Sequence, residues 1–160
     1  MTMRKYFADL VLQEMKTNKK VYVLTGDLGY KMWDEVRQKF PERFINVGAA
    51  EQSLIGVAVG LALSGKIPIV YSITSFLLYR PFETIRNYIH HESIPVKLIG
   101  GGRDRDYASN GFSHWSEEDK KLMKILSNIQ ANWPKNNTDL EKLFAEMIST
   151  PAPYYINLYR

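Results

Sequence analysis

Residues 46–65 read Asn-Val-Gly-Ala-Ala-Glu-Gln-Ser-Leu-Ile-Gly-Val-Ala-Val-Gly-Leu-Ala-Leu-Ser-Gly and are the strongest indication of the fold. They place one carboxylate, Glu51, at the start of a helix that is otherwise almost wholly apolar. A helix that is apolar nearly all round is buried on more than one side, and charged side chains are rarely left dry without a partner. We therefore expect Glu51 to be well partnered or chemically useful, although the helix dipole alone also favours an acid in the first turn.

Segments of helical and strand-like character alternate along the rest of the chain. Apolar spacing predicts helices over residues 3–17, 31–40, 50–63, 77–91, 116–126 and 138–148, and short apolar runs predict strands at 21–24, 44–47, 67–71, 96–99, 128–133 and 154–158. Strands separated by helices indicate a three-layer α/β/α fold around a mainly parallel sheet. Ligands bind such sheets at the carboxyl ends of the strands, and four segments fall at predicted strand ends: Asp27, Gly48–Glu51, Ser72–Phe76 and Gly100–Gly102.

Composition limits the class of protein. A chain of 160 residues with 45% hydrophobic residues predicts one domain, residues 1–160. The absence of cysteine excludes disulfides and thiolate chemistry and is compatible with a cytoplasmic location. No apolar run is long enough to cross a bilayer, and the first residues form no signal peptide, so no membrane association is expected. The net charge of +4 is scattered rather than clustered, which argues against nucleic-acid binding and could help to attract phosphorylated sugars.

The stretch Asn46-Val-Gly48-Ala-Ala-Glu51-Gln52 resembles the pyrimidine-binding domain of transketolase-like, thiamine-diphosphate-dependent enzymes. In that family a strand ends in Asn-x-Gly-x-x-Glu-Gln and a Gly/Ala-rich helix follows. Four other segments resemble family motifs in the same order: Thr25-Gly-Asp27-Leu-Gly29, Ser75-Phe76 through Ile85-Arg86, Asn110-Gly111-Phe-Ser-His114, and Pro153 through Arg160. The resemblance covers the whole chain and implies the α/β fold of a thiamine-diphosphate-binding Pyr domain.

The resemblance implies thiamine diphosphate as cofactor, with Glu51 in the central role. A carboxyl hydrogen-bonded to the pyrimidine N1′ promotes the imino tautomer whose nitrogen removes the proton from the thiazolium C2, so we expect Glu51 to be both catalytic and cofactor-binding. Phe76 and Tyr79 would place aromatic rings around the aminopyrimidine, although core packing is the alternative for both. Ile73 lies where many transketolases have another aromatic residue. Asp27 matches a family aspartate near the cofactor or substrate, or else caps the next helix.

His114 matches the substrate-contacting histidine of the family, and a neutral imidazole can donate to a sugar oxygen and exchange protons near neutral pH. We therefore expect it to be catalytic and substrate-binding. The alternative is a structural residue just before a helix capped by Ser116. His90 and His91 end a predicted helix, and for them a structural role is favoured.

Further substrate contacts are implied by the resemblance, together with departures from it. Lys31 and Arg80 could hold an anionic group of the substrate, or could be solvated surface cations or ion-pair partners. Asn110 stands where the family usually has an aspartate, and Gly102 falls about where transketolases have another substrate histidine. These departures concern the choice of sugar rather than the cofactor chemistry.

The Gly-Asp-Gly…Asn motif, through which the family binds the cofactor diphosphate and Mg²⁺, is not in this sequence. The resemblance therefore implies a separate diphosphate-binding subunit that holds the magnesium, with no metal ligand from this chain, and the chain could be a natural short subunit or a truncation. We expect it to dimerise through helix 50–63 within an α2β2 assembly that transfers a two-carbon ketol unit between sugars or sugar phosphates.

Other functions remain open at this point. A deoxyxylulose-phosphate-synthase-like or 2-oxoacid-dehydrogenase-like subunit would share the scaffold. A non-catalytic assembly partner would not need Glu51. A free-standing signalling or flavin module would need its own phosphate loop or acidic pocket, of which only Asp27 is present.

Overall fold

The computed structural model describes residues 1–160 and contains one six-stranded sheet. The strands are β1 (Val21–Thr25), β2 (Phe44–Asn46), β3 (Ile67–Ile73), β4 (Lys97–Gly101), β5 (Gln130–Asn132) and β6 (Tyr154–Leu158). Their order across the sheet is β2-β1-β3-β4-β6-β5, and every neighbouring pair is parallel. The predicted α/β class is confirmed, and the mainly parallel sheet is parallel throughout.

Helices cover both faces of the sheet, which confirms the three-layer architecture. They are α1 (Met3–Thr17), α2 (Asp34–Lys39), α3 (Glu51–Leu63), α4 (Thr74–Tyr79), α5 (Phe82–Thr84), α6 (Asp119–Ile125) and α7 (Asn137–Ser149). Helices α1, α2 and α7 enclose one apolar core against the sheet, and α3, α4 and α6 enclose a second core on the opposite face. No helix has both the length and the apolar character needed to cross a membrane.

Two predicted helices are interrupted or shortened for identifiable reasons. The helix predicted over 31–40 begins only at Asp34, because Lys31 has φ +62° and the following two backbone N–H groups donate to the carbonyl oxygen of Gly29. The helix predicted over 77–91 is broken at Pro81, which has no N–H to donate. The chain there forms α4, then α5, then a π-helical segment, Ile85–His91.

The helix predicted over 116–126 begins at Asp119, and the proposed cap at Ser116 is wrong. The Ser116 hydroxyl instead donates to the carbonyl oxygen of Gly102, 3.1 Å away. Asp119 is itself buried, and one of its carboxylate oxygens accepts hydrogen bonds from three side chains, the first just after β5 and the other two in β6: Trp133, Tyr155 and Asn157, at 2.7, 2.9 and 2.6 Å. This network fixes α6 against the sheet.

Helix α3 is buried on one side only. Its sheet-facing side chains, among them Leu54, Ile55 and Ala58, are fully buried. The other side is exposed, begins with Gln52, and otherwise consists of small and apolar residues: Ser53, Gly56, Val57, Gly60 and Leu63. The expectation that the helix is buried on more than one side is therefore not met within this chain. We call this exposed side the α3 outer face.

Candidate functional site

The carboxyl ends of β1, β2, β3 and β4 lie side by side at one edge of the sheet. Thr25 is in register with Asn46 of β2 and with Tyr71 of β3, and Ile73 of β3 is in register with Gly101 of β4. All four segments that the sequence placed at strand ends therefore lie in the last residues of these strands or directly after them, at this edge. The convergence predicted from the parallel sheet is confirmed, and the candidate site lies here.

Asn46 joins the ends of β1 and β2. Its side-chain oxygen accepts hydrogen bonds from the backbone N–H groups of Asp27 (2.8 Å) and Gly48 (3.0 Å). Asp27 has φ +57° and Gly48 has φ +75°, so both residues are in the left-handed region. The two hydrogen bonds to Asn46 stabilise this backbone conformation. The alternative that Asp27 caps the next helix is wrong, because α2 begins seven residues later without a side-chain cap. The role of Asn46 was missed, although its fixed place in the Asn-x-Gly-x-x-Glu pattern was the available signal.

Glu51 is the first residue of α3 and is only 4% exposed. Its Oε1 accepts a hydrogen bond from Nη1 of Arg80 at 2.9 Å, and Arg80 is the sole side chain that forms an ion pair with it. The Arg80 side chain is 48% exposed, whereas the Glu51 side chain is 3% exposed. The pair thus consists of a fixed, buried carboxylate and a cation that reaches it from solvent. Of the alternatives for Arg80, the structure shows the ion pair.

Phe76 lies at the centre of the site. The guanidinium carbon of Arg80 is 3.7 Å from the centre of the Phe76 ring, a cation–π contact. The imidazole of His114 packs against the same side chain, with ring centres 4.8 Å apart and an interplanar angle of 64°. Glu51, Arg80, Phe76 and His114 therefore form one continuous series of contacts that brings together both candidate catalytic residues.

Hydrogen bonds between α4 and the loop after β4 place His114. The Ser75 hydroxyl donates to the carbonyl oxygen of Ser113 at 2.7 Å, and the Thr74 hydroxyl donates to the carbonyl oxygen of Gly102 at 2.9 Å. The Nδ1 of His114 lies 3.0 Å from the Ser113 hydroxyl. His114 belongs to a 3-10 turn, Phe112–His114, and is not the start of a helix.

Gly102 explains one departure from the family pattern. It has φ +88°, and a side-chain β-carbon at this position would overlap the ring of Tyr107. Tyr107 accepts a hydrogen bond from Nη1 of Arg4 at 3.1 Å, and its ring centre is 6.2 Å from that of His114. A histidine at position 102 would therefore have to displace Tyr107. The aromatic ring of Tyr107 beside His114 was not expected from the sequence, in which it lies within a charged loop.

The remaining predicted site residues lie around this centre. Ile73 is buried at the end of β3. Tyr79 is half-buried and lines an open pocket of about 310 Å³ with Phe112, Ser113, Trp115 and Glu118. Its hydroxyl donates to Glu118, and burial together with that carboxylate raises the pKa of Tyr79 to about 12. Lys31 and Asn110 are exposed, and no ion pair joins Lys31 to an acid of this chain.

Two further residues have structural contacts. Phe82 packs against the second apolar core. His90 accepts a hydrogen bond at Nδ1 from the backbone N–H of Asn128, and its carbonyl oxygen accepts one from the Asn128 side chain.

No group of three or more acidic, histidine or cysteine side chains in the chain is arranged to hold a metal ion.

The site combines a buried carboxylate, an aromatic surface and an imidazole. These groups can hold a flat heterocycle against Phe76 while Glu51 hydrogen-bonds to a ring nitrogen. The imidazole of His114, which packs against Phe76, can exchange a proton or donate to an oxygen. The arrangement therefore fits a bound heterocycle together with a second, oxygen-bearing ligand.

Comparison with known proteins shows the family of this chain. The family model for the transketolase pyrimidine-binding domain matches residues 1–160. A 6-deoxy-6-sulfo-D-fructose transketolase subunit (SqwH) of Clostridium sp. strain MSTE9 is 30% identical over 159 residues, which are 99% of this chain and 49% of that protein. An apulose-4-phosphate transketolase subunit of Actinobacillus succinogenes is 34% identical over 121 residues, which are 76% of this chain and 39% of that protein. The chain thus spans half or less of the length of these relatives.

Solved structures give the same result. A split-gene transketolase, described as an inactive β4 tetramer, matches 100% of this chain and 51% of its own chain with a TM-score of 0.88 and 32% identity. The transketolase of Campylobacter jejuni matches 99% of this chain and 26% of its own with a TM-score of 0.89, and at 16% identity it shows the fold alone. The chain belongs to the family of transketolase pyrimidine-binding domains.

Proposed function

We propose that this chain is the pyrimidine-binding part of a thiamine-diphosphate-dependent, transketolase-like transferase that moves a two-carbon ketol unit between sugars. The observation that carries the proposal is the buried carboxylate of Glu51, which Arg80 links to the aromatic ring of Phe76, with His114 packed against the same ring. Several of the relatives are transketolase subunits named for modified sugars, which supports transfer between sugars.

The residues present fit the aminopyrimidine half of the cofactor. The planar guanidinium of Arg80 shows that a flat, hydrogen-bond-donating group can lie over Phe76 and reach Glu51 at the same time. Phe76, Ile73 and Tyr79 would contact the ring, and Asp27 would lie at its edge. When bound, thiamine diphosphate supplies a carbon nucleophile for the two-carbon unit. The diphosphate and Mg²⁺ would be held mainly by a separate subunit, which the relatives named as transketolase subunits and the split-gene transketolase support.

Each residue of this chain has a distinct part in the proposed reaction. Glu51 would share a proton with the ring nitrogen N1′, and its burial excludes the water that would compete for that contact. His114 would donate to, or take a proton from, a hydroxyl or carbonyl oxygen of the sugar. Lys31, Asn110 and Arg80 would contact the far end of the sugar, with the two cations favouring an anionic group.

The proposed assembly is an α2β2 heterotetramer in the cytoplasm, with two copies of this chain joined through the α3 outer face and residues 1–160 acting as one domain. The exposed small and apolar residues of that face support the contact between copies. The scattered charge of the chain supports small-molecule rather than nucleic-acid binding.

The test is reconstitution with a candidate partner that carries the Gly-Asp-Gly…Asn motif, such as the product of a neighbouring open reading frame. Calorimetry would measure thiamine diphosphate binding, with Mg²⁺, to the chain alone, the partner alone and the mixture. We expect micromolar affinity only for the mixture, and ketol transfer only in that sample. Micromolar, magnesium-dependent binding to this chain alone would contradict the division between subunits.

A decarboxylating synthase is the second candidate function. Several relatives are 1-deoxy-D-xylulose-5-phosphate synthases, including one from Corynebacterium glutamicum that is 33% identical over 144 residues. Offering the reconstituted enzyme pyruvate or a ketose as donor separates the two functions. Carbon dioxide release from pyruvate with no transfer from any ketose would favour the synthase.

A further inference from the structure

The guanidinium of Arg80 occupies the place that the proposed function assigns to the aminopyrimidine. It is planar, lies 3.7 Å from the centre of the Phe76 ring and donates to Glu51 at 2.9 Å. Stacking on Phe76 and a hydrogen bond to Glu51 are the same two contacts that the cofactor ring requires. A flat ring placed on that face of Phe76 would need the volume that the guanidinium now fills.

We propose that Arg80 is a tethered competitor for the aminopyrimidine, and that binding of the cofactor requires its release from Glu51. This inference rests on the proposed function, since it takes Glu51 and Phe76 as the cofactor contacts. It goes beyond that function because it describes how the site is regulated: without cofactor, the buried carboxylate of Glu51 stays paired with Arg80. An unpaired carboxylate at this depth would be costly, and the ion pair removes that cost in the absence of cofactor.

The backbone around Arg80 allows the side chain to move while the backbone stays in place. Arg80 follows the last residue of α4 and precedes Pro81, whose ring fixes the chain direction at the break between α4 and α5. The side chain is 48% exposed and can turn outward into solvent, whereas the 3%-exposed carboxylate of Glu51 cannot follow it. Release therefore needs a change of side-chain rotamer and no rearrangement of the helices.

The same step sets an order of binding. While the guanidinium is paired with Glu51, it is not free to contact an anionic group of the substrate. After the aminopyrimidine displaces it, the charge lies at the mouth of the site and is available for that contact. Cofactor binding thus prepares the substrate site through one side chain.

The expected size of the effect follows from the contacts that are lost. When a binding-competent state is only fractionally populated, the apparent dissociation constant rises in proportion. A charge-assisted hydrogen bond and a half-exposed cation–π contact together favour the state in which Arg80 is paired with Glu51 over the released state by roughly a factor of ten. Removing Arg80 should therefore tighten binding of an aminopyrimidine by roughly tenfold, and a gain of about threefold to thirtyfold would agree with the proposal.

The experiment titrates 4-amino-5-hydroxymethyl-2-methylpyrimidine, the isolated ring of the cofactor, into the purified full chain by NMR. The test variant is Arg80→Met. The matched control is Arg105→Met, because Arg105 also pairs with a carboxylate, that of Glu117 at 2.9 Å, and lies 4.2 Å from the ring centre of Trp115. Arg80→Lys keeps a charge beside Glu51 but loses the planar stack, and it serves if Arg80→Met does not fold.

We expect Arg80→Met to bind the ring about tenfold more tightly than the wild-type chain, Arg80→Lys a few-fold more tightly, and Arg105→Met unchanged. If the wild-type chain binds the ring and neither Arg80 variant binds it more tightly, the competitor role is overturned while the proposed function stands. If Arg105→Met gains as much as Arg80→Met, the competitor role is overturned too, because the gain is then not specific to this site. If no variant binds the ring at millimolar concentration, the proposed pyrimidine site and the competitor role both fail.

Discussion

Replacing Gly102 by alanine tests whether the loop after β4 is built around the ring of Tyr107. Gly102 has φ +88°, and an added β-carbon would overlap that ring. The backbone strain of a non-glycine residue there is worth about 1 kcal/mol. Forcing the ring aside adds about 1–3 kcal/mol, as for other overpacked sites. We therefore expect Gly102→Ala to lower the free energy of unfolding by about 2–4 kcal/mol.

Gly65→Ala is the matched control, because Gly65 has φ +74° but no atom within 4 Å of the added carbon. It should cost only the strain, about 1 kcal/mol. Urea unfolding followed by circular dichroism measures the free energy of unfolding of both variants. The same measurement is made for Gly102→Ala in a Tyr107→Ala background, where the loss of free energy of unfolding should fall to about 1 kcal/mol. Equal costs for Gly102→Ala and Gly65→Ala would refute the steric argument.

Three further predictions concern the core, the pH dependence of stability and the assembly. Asp119→Asn should lower the free energy of unfolding by about 2–4 kcal/mol in urea, because three side-chain donors, two of them buried, lose a carboxylate acceptor. Burial lowers the pKa of Lys97 to about 8 from 10.5. Above pH 8 the unfolded chain therefore binds more protons than the folded chain. The free energy of unfolding of the wild-type chain should rise by about 2 kcal/mol from pH 8 to 10 relative to that of Lys97→Met. The same pH dependence in both proteins would contradict this. Val57→Glu, on the α3 outer face, should convert a dimer to a monomer in sedimentation without loss of helix content; a wild-type chain that is monomeric at high concentration would contradict the dimer.

The fold was largely predictable because its signals are local. Strand-like runs alternating with helical spacing indicated a parallel sheet, and the parallel sheet in turn placed Asp27 and Glu51 at one edge. The shape of the segment after β3 was not predictable in the same way. Its apolar spacing continues through Pro81, and only the missing N–H of that residue marks the break between α4 and α5. No local signal distinguishes the π-helical segment that follows.

The position of a site residue was predictable where a local sequence motif identifies it. Contacts between residues that are distant in the sequence were not predictable. The place of Glu51 followed from its motif, but its pairing with Arg80 depends on how the chain between α4 and α5 passes the start of α3. Ser116 has the composition of a helix cap, and tertiary contact with Gly102 redirected its hydroxyl. Tyr107 could not be identified, since nothing local shows that its ring fills the space above a glycine 5 positions earlier and lies against His114.

The central claim is that Glu51 exchanges a proton with the bound pyrimidine. Its most direct test is hydrogen–deuterium exchange at the C2 position of thiamine diphosphate in complexes reconstituted with wild-type chain or with Glu51→Gln. The amide has nearly the same volume, so fold and assembly should be kept. The account predicts that exchange in the variant is slower by about 10²–10⁴, the usual cost of losing a positioned acid–base group. Exchange as fast as in the wild type, with the cofactor bound equally, would contradict it and leave Glu51 as no more than an acid in the first turn of a helix.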